Sequence, residues 1–192
     1  IQDGKYIYNA FMLSEESLQL MGNDFAIFYC DFVDAILSYR SEVACPKKVY
    51  AEMLGAVIYY DFPIFDACAK PFEFFKHYNQ ETQMISIEYK YSEDEHRKLL
   101  DRFLKAADEM LATVTPDMTD IEKAKNIYHE LCTRIVYDDS ALKDLERKAC
   151  YFAYLHNSGV CVTFANVYNQ LLTQVGIKTT LATCEYDETM GH

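Results

Sequence analysis

The order of apolar and polar positions divides the chain into helical and extended stretches. In NDFAIFYCDFVDAILSYR the residues Phe25, Phe28, Phe32, Val33 and Ile36 recur at helical spacing, which predicts an amphipathic helix. A second helix is expected from about Pro46 through KKVYAEMLGAVIYY. YDFPIFD breaks it, because Pro63 lacks a backbone donor and disfavours helical backbone at Phe62. PFEFFKHY and MISIEYKY come next. In the second of these, Ile85, Ile87, Tyr89 and Tyr91 alternate with Ser86, Glu88 and Lys90, the period of a strand with one wet face. The two stretches are expected to pair as an antiparallel hairpin of the N-terminal part.

Helical periodicity then resumes. Ser92 with Glu95 forms a capping box opening SEDEHRKLLDRFLKAADEMLATV, whose apolar stripe is Leu99, Phe103, Met110, Leu111 and Val114. A second box, Thr119 with Glu122, opens DIEKAKNIYHELCTRIVY, with Ile121, Ala124, Ile127, Tyr128 and Leu131 on its inner face. From Val162 to Val175, Phe164, Tyr168, Leu171, Leu172 and Val175 share a face, and Gly176 stops the helix. TTLATCEYDETMGH reads as a strand, a polar turn and the start of another strand. The expected organisation is an N-terminal α+β extension over residues 1–115 and a second unit over residues 116–192.

Composition narrows the function classes. The chain has 192 residues, 51% hydrophobic and 15% aromatic, enough apolar surface for a real core. Its formal net charge is -12, and its 18 Lys and Arg are scattered, so nucleic acid and anionic membrane surfaces are poor partners. Cationic and neutral substrates stay open. No run of about 18 apolar residues is present, so no membrane span is expected. The seven cysteines, at 30, 45, 68, 132, 150, 161 and 184, form no CxxC pair. This argues against a metal framework, and no cofactor is expected. Most of these cysteines are expected to be buried small hydrophobes.

Cys161 differs, because the predicted helix begins on it and Gly159 lets the chain turn sharply into that helix. The first N–H groups of a helix have no internal partner and carry partial positive charge, which favours a thiolate and can bind an oxyanion. Taken alone, these features favour a small buried thiol at a helix start over a nucleophile, since buried cysteine is common. A nucleophilic thiol needs a base. Of the five histidines, His77, His96, His129 and His156 are expected to be solvated, whereas His192 follows the predicted strand and turn. Zinc binding by Cys161, Cys184 and His192 has nothing further to mark it.

The segment from Ala149 to His192 resembles the transglutaminase-like superfamily, which has a papain-like cysteine fold. The resemblance rests on Tyr151, ten residues before Cys161 in Gly159-Val160-Cys161, then Phe164-Ala165, Leu171-Leu172, Gly176-Ile177 and Gly191-His192. IEKAKNIYHELCTRIVYDD resembles the family's helix that ends in Tyr-Asp before this segment, and the match covers about residues 119–192. Residues 1–115 resemble, more loosely, the extension that precedes the domain in many bacterial members.

The resemblance implies an α+β fold in which a Cys-bearing helix packs on an antiparallel sheet. It also implies a Cys–His–Asp triad that performs acyl transfer or hydrolysis on peptide or amide bonds. By position Cys161 matches the nucleophile and His192 the base, and Tyr151 is a candidate for lining the oxyanion site. The family's orienting acid follows the histidine and so has no counterpart here. This implies that the chain as given turns over little and that an exposed sheet edge could self-associate. Peptide or protein substrates, and an extracytoplasmic or cell-surface setting rather than a cytoplasmic one, belong to the same expectation. A catalytically inactive binding module of the same fold is the alternative. Val162 and Thr163 depart from the family's frequent polar residue and Gly after the Cys, which bears on substrate preference.

Overall fold

The chain folds as α+β in a computed structural model that describes residues 1–70, 77–181, 185–187 and 190–191. Backbone packing divides it into a middle unit, residues 9–103, and a terminal unit, residues 1–8 with 104–192.

The middle unit begins with α1 (Glu15–Leu37), capped by the Ser14 hydroxyl, which accepts from the Ser17 N–H at 3.2 Å. Gly22 breaks the helical backbone at φ 78°, a conformation open mainly to glycine. The expected stripe, Phe25, Phe28, Phe32, Val33 and Ile36, is buried, joined by Tyr29 and Ala35. Phe25 and Phe28 lie with ring centroids 5.4 and 5.8 Å from Tyr50 of α2 (Lys48–Asp61), and Phe32 lies 5.5 Å from Phe65 of α3 (Phe65–Cys68). As expected, α2 ends at Phe62, ahead of Pro63.

Three short strands, β1 (Glu42–Ala44), β2 (Tyr78–Asn79) and β3 (Met84–Ser86), form an antiparallel sheet in the order β1-β3-β2. The expected hairpin is β2–β3, with Tyr78 opposite Ile85. Residues 71–76 of its first arm lie outside the described residues. The second arm is shorter than the alternation implies, because the backbone changes partner. The Ile87 N–H donates to Ser41, and Tyr89 bridges to Ala69 between the bonds Lys70 to Glu88 and Lys90 to Cys68.

The division between units falls within α4 (Glu93–Leu111), whose start is held by Glu95 accepting from both the N–H and the hydroxyl of Ser92. Phe103, Met110, Leu111 and Val114 are buried as expected, but Leu100 and Ala107 complete the stripe while Leu99 is half-exposed. His96, expected in solvent, is buried against the stacked rings of Tyr39 and Tyr89. Its Nε2 lies 2.7 Å from the Ile36 carbonyl oxygen, which can only accept, so Nε2 carries the proton. Nδ1 is buried without a hydrogen-bond partner. Protonating it would strand a charge, and burial accordingly lowers the His96 pKa.

In the terminal unit, α5 (Asp120–Arg134) carries the predicted capping box between Thr119 and Glu122. Lys123, Ile127 and Leu131, spaced four apart, set its buried stripe. Ile121 and Tyr128 fall outside that stripe and are 68% and 60% exposed, against expectation. The Lys123 ammonium sits 5.4 Å from the centre of the Tyr6 ring. After β4 (Val136–Tyr137), a 3-10 turn (Asp139–Lys143), α6 (Leu145–Lys148), α7 (Cys150–His156) and β5 (Ser158–Gly159), the chain enters α8 (Cys161–Gln174). Both α5 and α7 pack on α8.

The inner face of α8 is more polar than its periodicity indicates. It buries Val167, Leu171 and Leu172 together with Thr163, Asn166, Gln170 and Gln174. Gln170 accepts from the Tyr154 hydroxyl at 2.7 Å and donates to the Tyr8 hydroxyl at 3.0 Å, while the Tyr8 N–H donates to Asp108 at 2.7 Å. Beyond α8, β6 (Glu185–Asp187) and β7 (Met190–Gly191) pair antiparallel, matching the later part of the predicted strand–turn–strand, with residues 182–184 and 188–189 outside the described residues.

Asp61 generates a prediction. Its carboxylate, buried at the end of α2, accepts from the Ser14 N–H at 3.2 Å and the Ser17 hydroxyl at 2.9 Å, yet burial, with a smaller push from Glu16, raises its pKa to about 6. A carboxyl whose folded pKa lies above its ordinary 3.8 contributes stability that is complete below 3.8 and lost as the pH rises through about 6. His96 works in the opposite sense: its contribution is complete above the ordinary 6.5 and lost as the pH falls below it. Asp61→Asn should therefore remove the stabilising half of the pH response, worth up to about 3 kcal/mol, and leave melting that worsens more steeply with acid. Calorimetric scans of both proteins between pH 4 and 7 check this, and parallel curves would contradict it.

Candidate active site

The entry to α8 is built by a short parallel strand pair. Asn157 ends α7 in the left-handed region at φ 54°, and the chain then runs alongside β4. The Val136 N–H donates to the Asn157 carbonyl at 2.9 Å and the Asp138 N–H to the Gly159 carbonyl at 3.0 Å. This registers Val136 with Ser158 and Tyr137 with Gly159. Asp138 locks the pair from outside: it accepts from the Ser140 N–H at 3.0 Å, from the Ser140 hydroxyl at 2.6 Å and from the Ser158 hydroxyl at 3.3 Å, and it ion-pairs with Arg147. The Ser140 hydrogen bonds, more than Arg147, hold its carboxyl below the usual range.

Gly159 is required there by contact. A Cβ at this position would lie 2.7 Å from both Cβ and Cγ2 of Thr163. Thr163 is itself fixed, because its hydroxyl accepts from the Val160 N–H at 3.2 Å and donates to the Lys148 carbonyl at 2.9 Å. With Val160 buried and Thr163 tied on both sides, Cys161 is presented as the first residue of α8 with its side chain exposed.

Tyr137 faces Cys161. Its ring stacks on Phe164 at 6.1 Å with 27° between planes, and it is 49% exposed. Partial desolvation, then the neighbouring Cys161, raises the Tyr137 pKa. Only the Tyr-Asp at the end of the preceding helix marks this residue in sequence. The strand pairing that sets it beside Gly159 spans 22 residues of chain and leaves no local signature.

The remaining candidates are distributed as follows. Tyr151 is buried on α7, and its hydroxyl donates to Glu146 at 3.1 Å. His192 lies outside the described residues, next to Gly191, which pairs with Glu185. His156 is exposed at the end of α7 with its ring 4.2 Å from Phe152, and His129 is exposed on α5. Among the described cysteines, Cys132 and Cys161 are exposed, Cys30 is intermediate, and Cys45, Cys68 and Cys150 are buried. Burial pushes the Cys68 thiol up to about 12 and also raises Cys30 and Cys45. The described residues contain no group of three or more His, Cys, Asp or Glu arranged to hold a metal, and none of their helices is long and apolar enough to cross a membrane. Cys184 lies outside the described residues.

Residues 105–191 match the family model of the transglutaminase-like superfamily. No curated protein matches the chain.

Two outcomes are expected at this site. Brief iodoacetamide treatment, mapped by mass spectrometry, should label Cys161 ahead of Cys132 and leave Cys45, Cys68 and Cys150 unmodified until the protein unfolds. Labelling of Cys132 with Cys161 untouched would count against an accessible Cys161 nucleophile. Gly159→Ala should cost about 1–3 kcal/mol through overpacking on Thr163 and slow Cys161 labelling, as followed by chemical denaturation and labelling rate. Unchanged stability would mean that Thr163 gives way freely.

Proposed function

From the match of residues 105–191 to the model of the transglutaminase-like superfamily, whose general chemistry is thiol-dependent acyl transfer or hydrolysis, we propose that this protein cleaves or transfers acyl groups at peptide or amide bonds, with Cys161 as nucleophile. The observation that carries this reading is the exposed Cys161 on the first turn of α8, within the matched segment. His192 is the base in this reading, and Tyr151 is the candidate for lining the oxyanion site. A papain-like core over residues 116–192, preceded by an extension over residues 1–115, is the architecture proposed with it.

The chemistry follows from the groups. The Cys161 proton passes to His192, and the sulfur attacks the substrate carbonyl carbon, forming the C–S bond while the carbonyl electron pair moves to oxygen. The electron pair returns, the C–N bond breaks, and the amine leaves with the proton held by His192. Water, giving its proton to His192, then attacks the thioester carbonyl; the C–S bond breaks and the sulfur regains a proton. An amine acceptor in place of water makes the same step a transfer. Hydrolysis is the favoured outcome, water being the default acceptor.

The test uses the full natural chain with a fluorescent casein and a fluorescent primary amine. Cys161→Ala should abolish release and amine incorporation alike, a loss of at least about 10⁴-fold, while Cys132→Ala stays active. Activity that survives Cys161→Ala would defeat the assignment. A folded natural chain whose Cys161 labels with iodoacetamide but never turns over would establish the inactive binding module.

A further inference from the structure

We propose that Tyr8 is a positioning residue for Cys161: its hydroxyl, acting through Gln170, sets the rotation of α8 that brings the sulfur to the substrate carbonyl. This rests on the reading of Cys161 as an acyl-transfer nucleophile. Residues 1–8 pack in the unit that carries α8. Tyr8 is buried there, although 162 residues of chain separate it from Gln170. Its hydroxyl accepts from the Gln170 Nε2 at 3.0 Å, and its N–H donates to Asp108 of α4 at 2.7 Å. The oxygen of the same amide accepts from the Tyr154 hydroxyl of α7 at 2.7 Å. One side chain of α8 is thereby tied to α7 directly and to α4 through Tyr8. The segment that supplies Tyr8 is held a second time, by the Lys123 ammonium over the ring of Tyr6.

The placing of these ties on the helix gives them their effect. Thr163, Asn166, Gln170 and Gln174, spaced three or four apart, form a buried polar stripe along α8. Cys161 precedes Thr163 by two residues, about 200° around the helix, so its exposed thiol lies on the side away from that stripe. The Thr163 hydroxyl anchors the stripe at its first turn, through Val160 and Lys148. A helix anchored at one point still rolls and tilts about it. A second anchor on the same face, two turns further on, removes that freedom, and Gln170 is placed to be that anchor. Val167, Leu171 and Leu172 tolerate a small roll, whereas hydrogen bonds lose their alignment. A roll of about 12° moves an atom about 5 Å from the helix axis by about 1 Å. A misplacement of that size at a reacting group costs on the order of 10²-fold in rate.

Turnover and alkylation separate positioning from structural support. Iodoacetamide needs only an accessible thiol, whereas acyl transfer needs the sulfur aligned on a bound carbonyl. The full natural chain is assayed on fluorescent casein, and cysteine labelling is timed by mass spectrometry. In Tyr8→Phe, which keeps the ring, kcat should fall by about 10-fold to 10²-fold with KM little changed. Cys161 alkylation should change far less, and the buried Cys150 should stay unlabelled as in the native protein. Gln170→Leu should lose at least as much, and adding Tyr8→Phe to it should cost nothing further, because Tyr8 acts through Gln170. Asp108→Ala, which frees the Tyr8 backbone and leaves its ring intact, should give a smaller loss of the same kind, and decides by the same criteria if Tyr8→Phe does not fold. Undiminished kcat in the folded variant overturns the proposal. Losses that multiply in the double variant overturn it by giving Tyr8 another route, and a loss matched by labelling of Cys150 makes Tyr8 a stability residue only. A native chain whose Cys161 alkylates but never turns over defeats the acyl-transfer reading itself, and the proposal with it.

Discussion

The site depends on the contact between Gly159 and Thr163. A helix can begin on a given residue only if the chain entering it is held at one angle, and here the entering strand lies directly on the side chain one turn into the helix, with no space for a Cβ between them. Thr163 makes that contact rigid by bonding the Val160 N–H on one side and the Lys148 carbonyl on the other. A single hydroxyl thus joins the turn after α6, the strand β5 and the first turn of α8. The position of the Cys161 sulfur is a consequence of that junction.

Much of the architecture was legible because periodicity reports burial. The α1 stripe, the end of α2 ahead of Pro63, the capping boxes at Ser92 and Thr119, and a helix beginning on Cys161 are local features, written in neighbouring residues. What escaped depends on partners distant in the chain. Ile121 and Tyr128 look like core positions until Lys123 is seen to share the stripe of Ile127 and Leu131. His96 looks like a solvated residue of a first turn, yet the Ile36 carbonyl, 60 residues earlier, receives its Nε2–H and it packs against two stacked tyrosine rings. Tyr137 belongs to the same class: nothing near it in sequence indicates that it lies in register with Gly159.

The polar inner face of α8 has a related cause. An apolar helix face packs well at many small rotations, whereas Gln170, held between the hydroxyls of Tyr154 and Tyr8, is satisfied at one. Buried hydrogen bonds of this kind fix which way a helix faces more sharply than they add stability, since each is worth only about 1 kcal/mol net. In the proposed reading, in which the first residue of α8 presents its sulfur to a substrate, a fixed rotation is the useful property. The Tyr8 end of the chain of bonds, anchored by its N–H on Asp108, brings residues 1–8 into the same unit as α8.

Three constraints therefore converge on Cys161 from different parts of the sequence. The Gly159–Thr163 contact sets where the helix starts, the Gln170 bonds set its rotation, and the β4–β5 register fixes the strand that enters it. Each acts through groups whose partners are far away in the chain or one helical turn along it, and none uses the Cys161 side chain. A small buried thiol would be placed by the packing around its own sulfur. Here the sulfur is exposed, while Val160 directly before it and Thr163 two residues after it are buried. Such an arrangement holds the backbone and leaves the thiol uncovered, which is what a nucleophile requires and what a core residue has no use for.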